Sequence, residues 1–131
     1  MNDNHLQSKA SGTESFIGIL EEMNLEGGFT RSVLATSEGL PIASAPMSPD
    51  HELASAMIAM LQQVSVETQD HLELAPVDEV TIRTKERVHL VCRTIKSGDD
   101  WICLCALVPA GRVYRRATNR AVRRIKELIE N

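Results

Sequence analysis

Three cysteines, four histidines and a cluster of arginines are the residues of this 131-residue chain with chemistry to offer. Cys103 and Cys105 stand two apart in an apolar run, so on a strand both point to one face. Cys92 belongs to the preceding strand-like segment, a position from which it can come close across a ladder. A structural zinc site asks for four ligands, usually with Cys-x-x-Cys spacing. The spacing here is different, and His89 has the opposite parity to Cys92. The expectation is three reduced thiols, buried as small hydrophobes and holding no metal. His5, His51, His71 and His89 are scattered, and no serine, cysteine or carboxylate stands in an activated setting. A GxxxxGK[ST] phosphate loop is missing, so the chain is not itself a nucleotide hydrolase of that kind. The residues predict no catalytic centre and no cofactor.

The basic side chains are concentrated at the end. Residues 110–131 carry seven Lys or Arg and two Glu, a net +5, which leaves −9 for residues 1–109. Such a segment can neutralise phosphates or lie on an anionic membrane. Its apolar positions are needed for a core, however, and the acidic body repels a polyanion. Aromatic content is 3%, which leaves little for base stacking. A docking face for an acidic protein segment fits the same charge. Neither nucleic acid nor membrane is the expected partner.

These residues must be positioned by a core of aliphatic and methionine side chains, for which 131 residues are sufficient. The polar residues 1–13 read as a disordered tail and residues 14–131 as a single domain. Phe16, Leu20 and Met23 make one stripe on a first helix that Gly27-Gly28 ends. Ser37-Glu38-Gly39 between apolar runs is a three-residue hairpin pattern, with Gly where positive φ is needed. Ser48-Pro49-Asp50 signals a helix start, and the second helix is expected over residues 49–72. Leu53, Met57, Met60, Leu61 and Val64 form its main apolar face, which Ala54 and Ile58 widen. Residues 79–84 and 88–95 alternate as strands, and residues 101–108 form a near-continuous apolar strand. A last helix over residues 110–130 presents Val113, Ala117, Ala121, Ile125 and Leu128 on one side. The order α-β-β-α-β-β-β-α is an α+β layout. Three unpaired cysteines, a polar start and no run of ~20 apolar residues point to a cytoplasmic setting.

The run Ser32–Ser44, SVLATSEGLPIAS, with a helix after it and a strand-rich half behind, resembles the roadblock family. The resemblance covers roughly residues 15–129. It implies a five-stranded antiparallel sheet with the second helix on one face and the outer two on the other. It implies a regulatory or scaffold module, not an enzyme. Such a module dimerises, with itself or a related chain, and binds a small Ras-like GTPase. In some bacterial members it stimulates hydrolysis by reshaping the GTPase's own site. Two other readings stay open: a GAF-like sensory domain for a small ligand, and a basic-helix adaptor for nucleic acid or membrane.

The roadblock strand order puts residues 79–84 at a sheet edge, and an unblocked edge is usually put to use. A two-fold axis at Thr81 sets Val80 opposite Ile82 of a second copy and Glu79 opposite its Arg83. Ile58 and Ser65 of the broad second helix are expected to add apolar contact to this dimer interface. Ser55, Ala59, Gln62 and Val66, small or polar and beside the core stripe, are the expected partner-binding surface.

Overall fold

The computed structural model describes the backbone of residues 2–47 and 51–130 and the side chains of residues 15–47 and 54–130. The elements are α1 (Asn2–Gly27), β1 (Arg31–Thr36), β2 (Pro41–Ala45), α2 (His51–Val66), β3 (Glu79–Arg83), β4 (His89–Ser97), β5 (Asp100–Val108) and α3 (Arg115–Glu130). All strand pairs are antiparallel, in the order β2-β1-β5-β4-β3. This is the α+β architecture that the sequence leads one to expect. The apolar β5 lies at the centre, as its unbroken hydrophobic run requires.

Side-chain alternation sorts the core into two layers. Leu34, Val91, Ile95, Leu104, Ala106 and Val108 face one way, against Ile19, Leu20 and Met23 of α1 and Ala117, Ala121 and Ile125 of α3. Val33, Ala35, Cys92, Cys103 and Cys105 face the other way, under Ala54, Met57, Ile58 and Leu61 of α2. A single helix thus covers one face and two helices cover the other.

The helix ends differ from the sequence expectation. The backbone is helical from Asn2, so α1 takes in most of the stretch read as a tail, which holds no proline. Ser48-Pro49-Asp50 lies outside the described residues. The second helix ends at Val66, and a π-helical turn, Glu67–His71, follows before Pro76. The last helix starts at Arg115, not at 110, because Gly111 adopts φ +81° and the chain turns there. Val113 is therefore off the helix and 83% exposed. Thr118 and Val122 take buried positions on α3 instead.

The backbone of β3 defines what its free side presents. Thr84 N–H donates to Val88 O at 2.9 Å, and Thr94 N–H donates to Asp78 O at 3.0 Å. Alternation then directs the backbone groups of Val80 and Ile82 toward β4 and those of Glu79, Thr81 and Arg83 toward the open edge. By the same rule Cys92 spends its backbone groups on β3. Cys92 and Cys105, which face each other across β4 and β5, therefore form a non-hydrogen-bonded pair with closely spaced side chains.

Candidate functional site

The row Ser55, Ala59, Gln62 and Val66 follows the i, i+4, i+7 periodicity of one helix flank. All four are exposed on α2, with Val66 at 51%. The tip of the β1–β2 hairpin holds this flank in place. Gln62 Nε2 donates to Ser37 O at 3.1 Å, and Ser55 Oγ donates to Gly39 O at 3.4 Å. Gly39 has φ +88°, and a Cβ there would lie 3.1 Å from Ser55 Cα. The hairpin glycine thus serves both the turn and the seating of α2.

Beyond Gln62 the flank opens into a surface groove of about 660 Å³. Ser65, Val66 and Gln69 form one wall, and Thr94, Lys96 and Trp101 another. Ser37 Oγ donates to Asp100 Oδ1 at 2.7 Å, which ties the hairpin tip to the first residue of β5. This hydrogen bond, and then that from Trp101 N–H, holds the Asp100 carboxyl below its ordinary pKa. Exposed Leu72 and Leu74 lie in the segment after α2. The sequence pattern hides Trp101 inside an apolar strand. Its place as the chain's only tryptophan, directly after the polar run Lys96–Asp100, was the available signal.

The second set of expected residues lies along β3. This strand is at the sheet edge, paired on one side with β4. Ile82 is 37% exposed there. Glu79 is already engaged within its own chain. Its Oε2 accepts from Thr81 Oγ1 at 2.7 Å and from Tyr114 O–H at 3.0 Å. Its Oε1 lies 3.8 Å from Arg93 Nε. Arg93 in turn donates to Asn119 Oδ1 at 2.7 Å and lies 3.8 Å from Asp78. Sequence reasoning missed Arg93 and Tyr114, because the contact joins β3, β4 and the approach to α3.

Ile58 needs correction as an interface residue. Ile58 is 3% exposed, packed beneath α2 with the thiols, and has no surface to offer another chain. Residues 54, 57, 58 and 61 lie on one arc of the helix, so the widened apolar face is used by the sheet. Ser65 is half-buried and lines the groove.

Two arginines of the basic helix are taken up by α1. Arg120 pairs with Glu26 at 2.5 Å, and Arg124 pairs with Glu22. The last helix thus spends part of its charge inside the fold.

The three cysteines converge more closely than the sequence conveys. Their sulfurs all lie within 4.8 Å of one another, and Cys103 Sγ is 3.3 Å from Cys105 Sγ. Hydrogen bonds from Cys103 and then Cys105 hold the Cys92 thiol down, against the effect of burial. Cys105 is pushed up by the same contacts with Cys103 and Cys92 and then by burial. His89 lies on the opposite face, its ring 5.9 Å from that of Tyr114.

Solved structures share the fold of this chain. The gliding protein MglB of Thermus thermophilus superposes with a TM-score of 0.75 at 18% identity, over 91% of each chain. MglB of Myxococcus xanthus gives 0.76 at 10% identity, over 90% of each chain. A structure of MglB with a tetrameric arrangement gives 0.71 at 19% identity, over 91% of this chain and 90% of that one. No curated protein matches the chain. The model of the Roadblock/LC7 domain matches residues 18–99, more than half of the sequence and the part that holds both the α2 flank and the β3 edge. The chain belongs to the Roadblock/LC7 family.

Proposed function

We propose that residues 14–131 act as one non-enzymatic regulatory or scaffold module, which dimerises through β3 and binds a small Ras-like GTPase on the α2 flank. The observation that carries the reading is the free edge of β3. It has no proline, its outward backbone groups belong to Glu79, Thr81 and Arg83, and Ile82 is exposed beside them. Antiparallel pairing centred on Thr81 uses those groups and no others. The side-chain pairs add roughly 0.2–1 kcal/mol each, which fixes register without holding the dimer. Apolar contact around Ile82 supplies the rest, in place of the buried Ile58.

The α2 flank suits a protein partner. Ala59 and Ser55 are small enough for close approach, and the groove at Trp101 and Val66 offers an apolar anchor beside them. A related structure is described as MglB with a tetrameric arrangement, which supports assembly as the mode of action. In this reading the module works in the cytoplasm and promotes its partner's GTP hydrolysis, or only scaffolds it, without chemistry of its own. Among the described residues no helix is long and apolar enough to cross a membrane. Val33, Ala35, Met57, Ile58, Leu61 and the thiols pack together beneath α2, and the cavity beside Val33, Met57 and Cys105 is about 130 Å³, below the roughly 300 Å³ of a usual small-molecule pocket. The test is a binding titration with a nucleotide-loaded Ras-like GTPase from the same cell, comparing wild type with Ala59→Arg. Binding that survives this substitution unchanged removes the α2 flank from the reading.

A further inference from the structure

The thiol cluster goes beyond the partner-binding reading and does not depend on it. We propose that Cys92, Cys103 and Cys105 form a trigonal, all-sulfur site for a soft monovalent metal ion of the copper(I) class. The sheet itself brings the donors together. The side chains of Cys103 and Cys105 share a face of β5, and Cys92 stands directly opposite Cys105 on β4 in the closely spaced kind of pair. Three sulfurs thus converge from two strands, mutually within 4.8 Å and as near as 3.3 Å. A metal–sulfur bond of about 2.3 Å in a trigonal plane sets the sulfurs about 4 Å apart, inside that range.

The donor set selects the ion. Zinc asks for a fourth ligand, from protein or water. Among the described residues no His, Asp or Glu joins the three cysteines. The apolar side chains packed with the thiols are Val33, Ala35, Ala54, Ile58 and Leu61. Thiolate and thioether sulfur favours copper(I). Met57 packs in the same cluster and supplies a further soft sulfur near the site. A cavity of about 130 Å³ lies next to the cluster, with Arg31, Ser32, Val33, Pro41, Met57 and Cys105 among its lining residues. Each thiol that binds the ion releases its proton, and no electron is transferred.

The test is an anaerobic titration of the reduced full-length chain with copper(I) against a chromophoric copper(I) chelator. One equivalent should be withdrawn from the chelator, and X-ray absorption should show a shell of three sulfurs. Cys92→Ser should weaken uptake at least tenfold, and His89→Ala should leave it unchanged. No uptake, uptake unaltered by Cys92→Ser, or tighter binding of zinc than of copper(I) overturns the proposal. Should Cys92→Ser fail to fold, the wild-type absorption spectrum decides: nitrogen or oxygen in the metal shell contradicts the site.

Discussion

The Tyr114 hydroxyl donates to Glu79 Oε2 at 3.0 Å, which ties the approach to the last helix to the first residue of the edge strand. Glu79 also faces Arg93 across the β3–β4 ladder. The carboxylate is therefore a bracket within one protomer before it is a charge for a second copy. A simple charge exchange between Glu79 and Arg83 of two copies does not treat the two residues alike.

Arg83→Glu should weaken the dimer by setting like charges opposite each other. Adding Glu79→Arg to the same chain should not restore it, because the new guanidinium stands against Arg93, whose side chain is 11% exposed. Glu79→Arg alone should cost about 1–3 kcal/mol in a urea titration, the range for losing hydrogen bonds to a charged group and leaving its partner unpaired. A double variant as dimeric and as stable as wild type would show that the bracket carries nothing.

Proline separates the two sides of β3. At Thr81 it removes an N–H that points to the open edge, so the β3–β4 ladder survives and the dimer does not form. At Val80 it removes a ladder hydrogen bond and should lower the unfolding midpoint in addition. Light scattering and thermal melts of Thr81→Pro and Val80→Pro distinguish the two effects. A dimeric Thr81→Pro would place the association elsewhere.

Gly39→Ala should destabilise the fold by at least about 1 kcal/mol, the scale of forcing a Cβ into positive φ. The new Cβ would also crowd Ser55 Cα at 3.1 Å and tilt α2 away from the hairpin. Emission from Trp101, in the groove beside α2, should report the change in wild type against variant. An unchanged melt would mean that the tip is not a seat for the helix.

Much of this was legible from local pattern. The hairpin glycine, the alternating strands and the unbroken run of β5 each carry their periodicity in neighbouring residues, so element order and layering followed. Helix limits were less legible. Gly111 at positive φ delays α3 to Arg115, and the π-turn after Val66 keeps helical composition without the α-helical ladder. The position of β3 at the sheet edge was legible in the sequence, but which residues of α2 reach the surface was not. Ile58 and Ala59 are adjacent in sequence, and only the seating of α2 makes one core and the other surface. Arg93 and Tyr114 meet Glu79 through contacts 14 and 35 residues apart, beyond any local window. The parity of the cysteines conveys their shared face, but the register of β4 on β5 was needed to bring Cys92 opposite Cys105.

The central claim is that a β3-edge dimer presents the α2 flank to a small Ras-like GTPase. Sedimentation of the chain with a fluorescent, nucleotide-loaded GTPase from the same cell tests it most directly, run in parallel on wild type, Thr81→Pro and Ala59→Arg. The account predicts two copies of the wild-type chain in the complex, a monomer for Thr81→Pro, and a folded dimer without GTPase for Ala59→Arg. A wild-type monomer at micromolar concentration, or a GTPase complex left intact by Ala59→Arg, would contradict it.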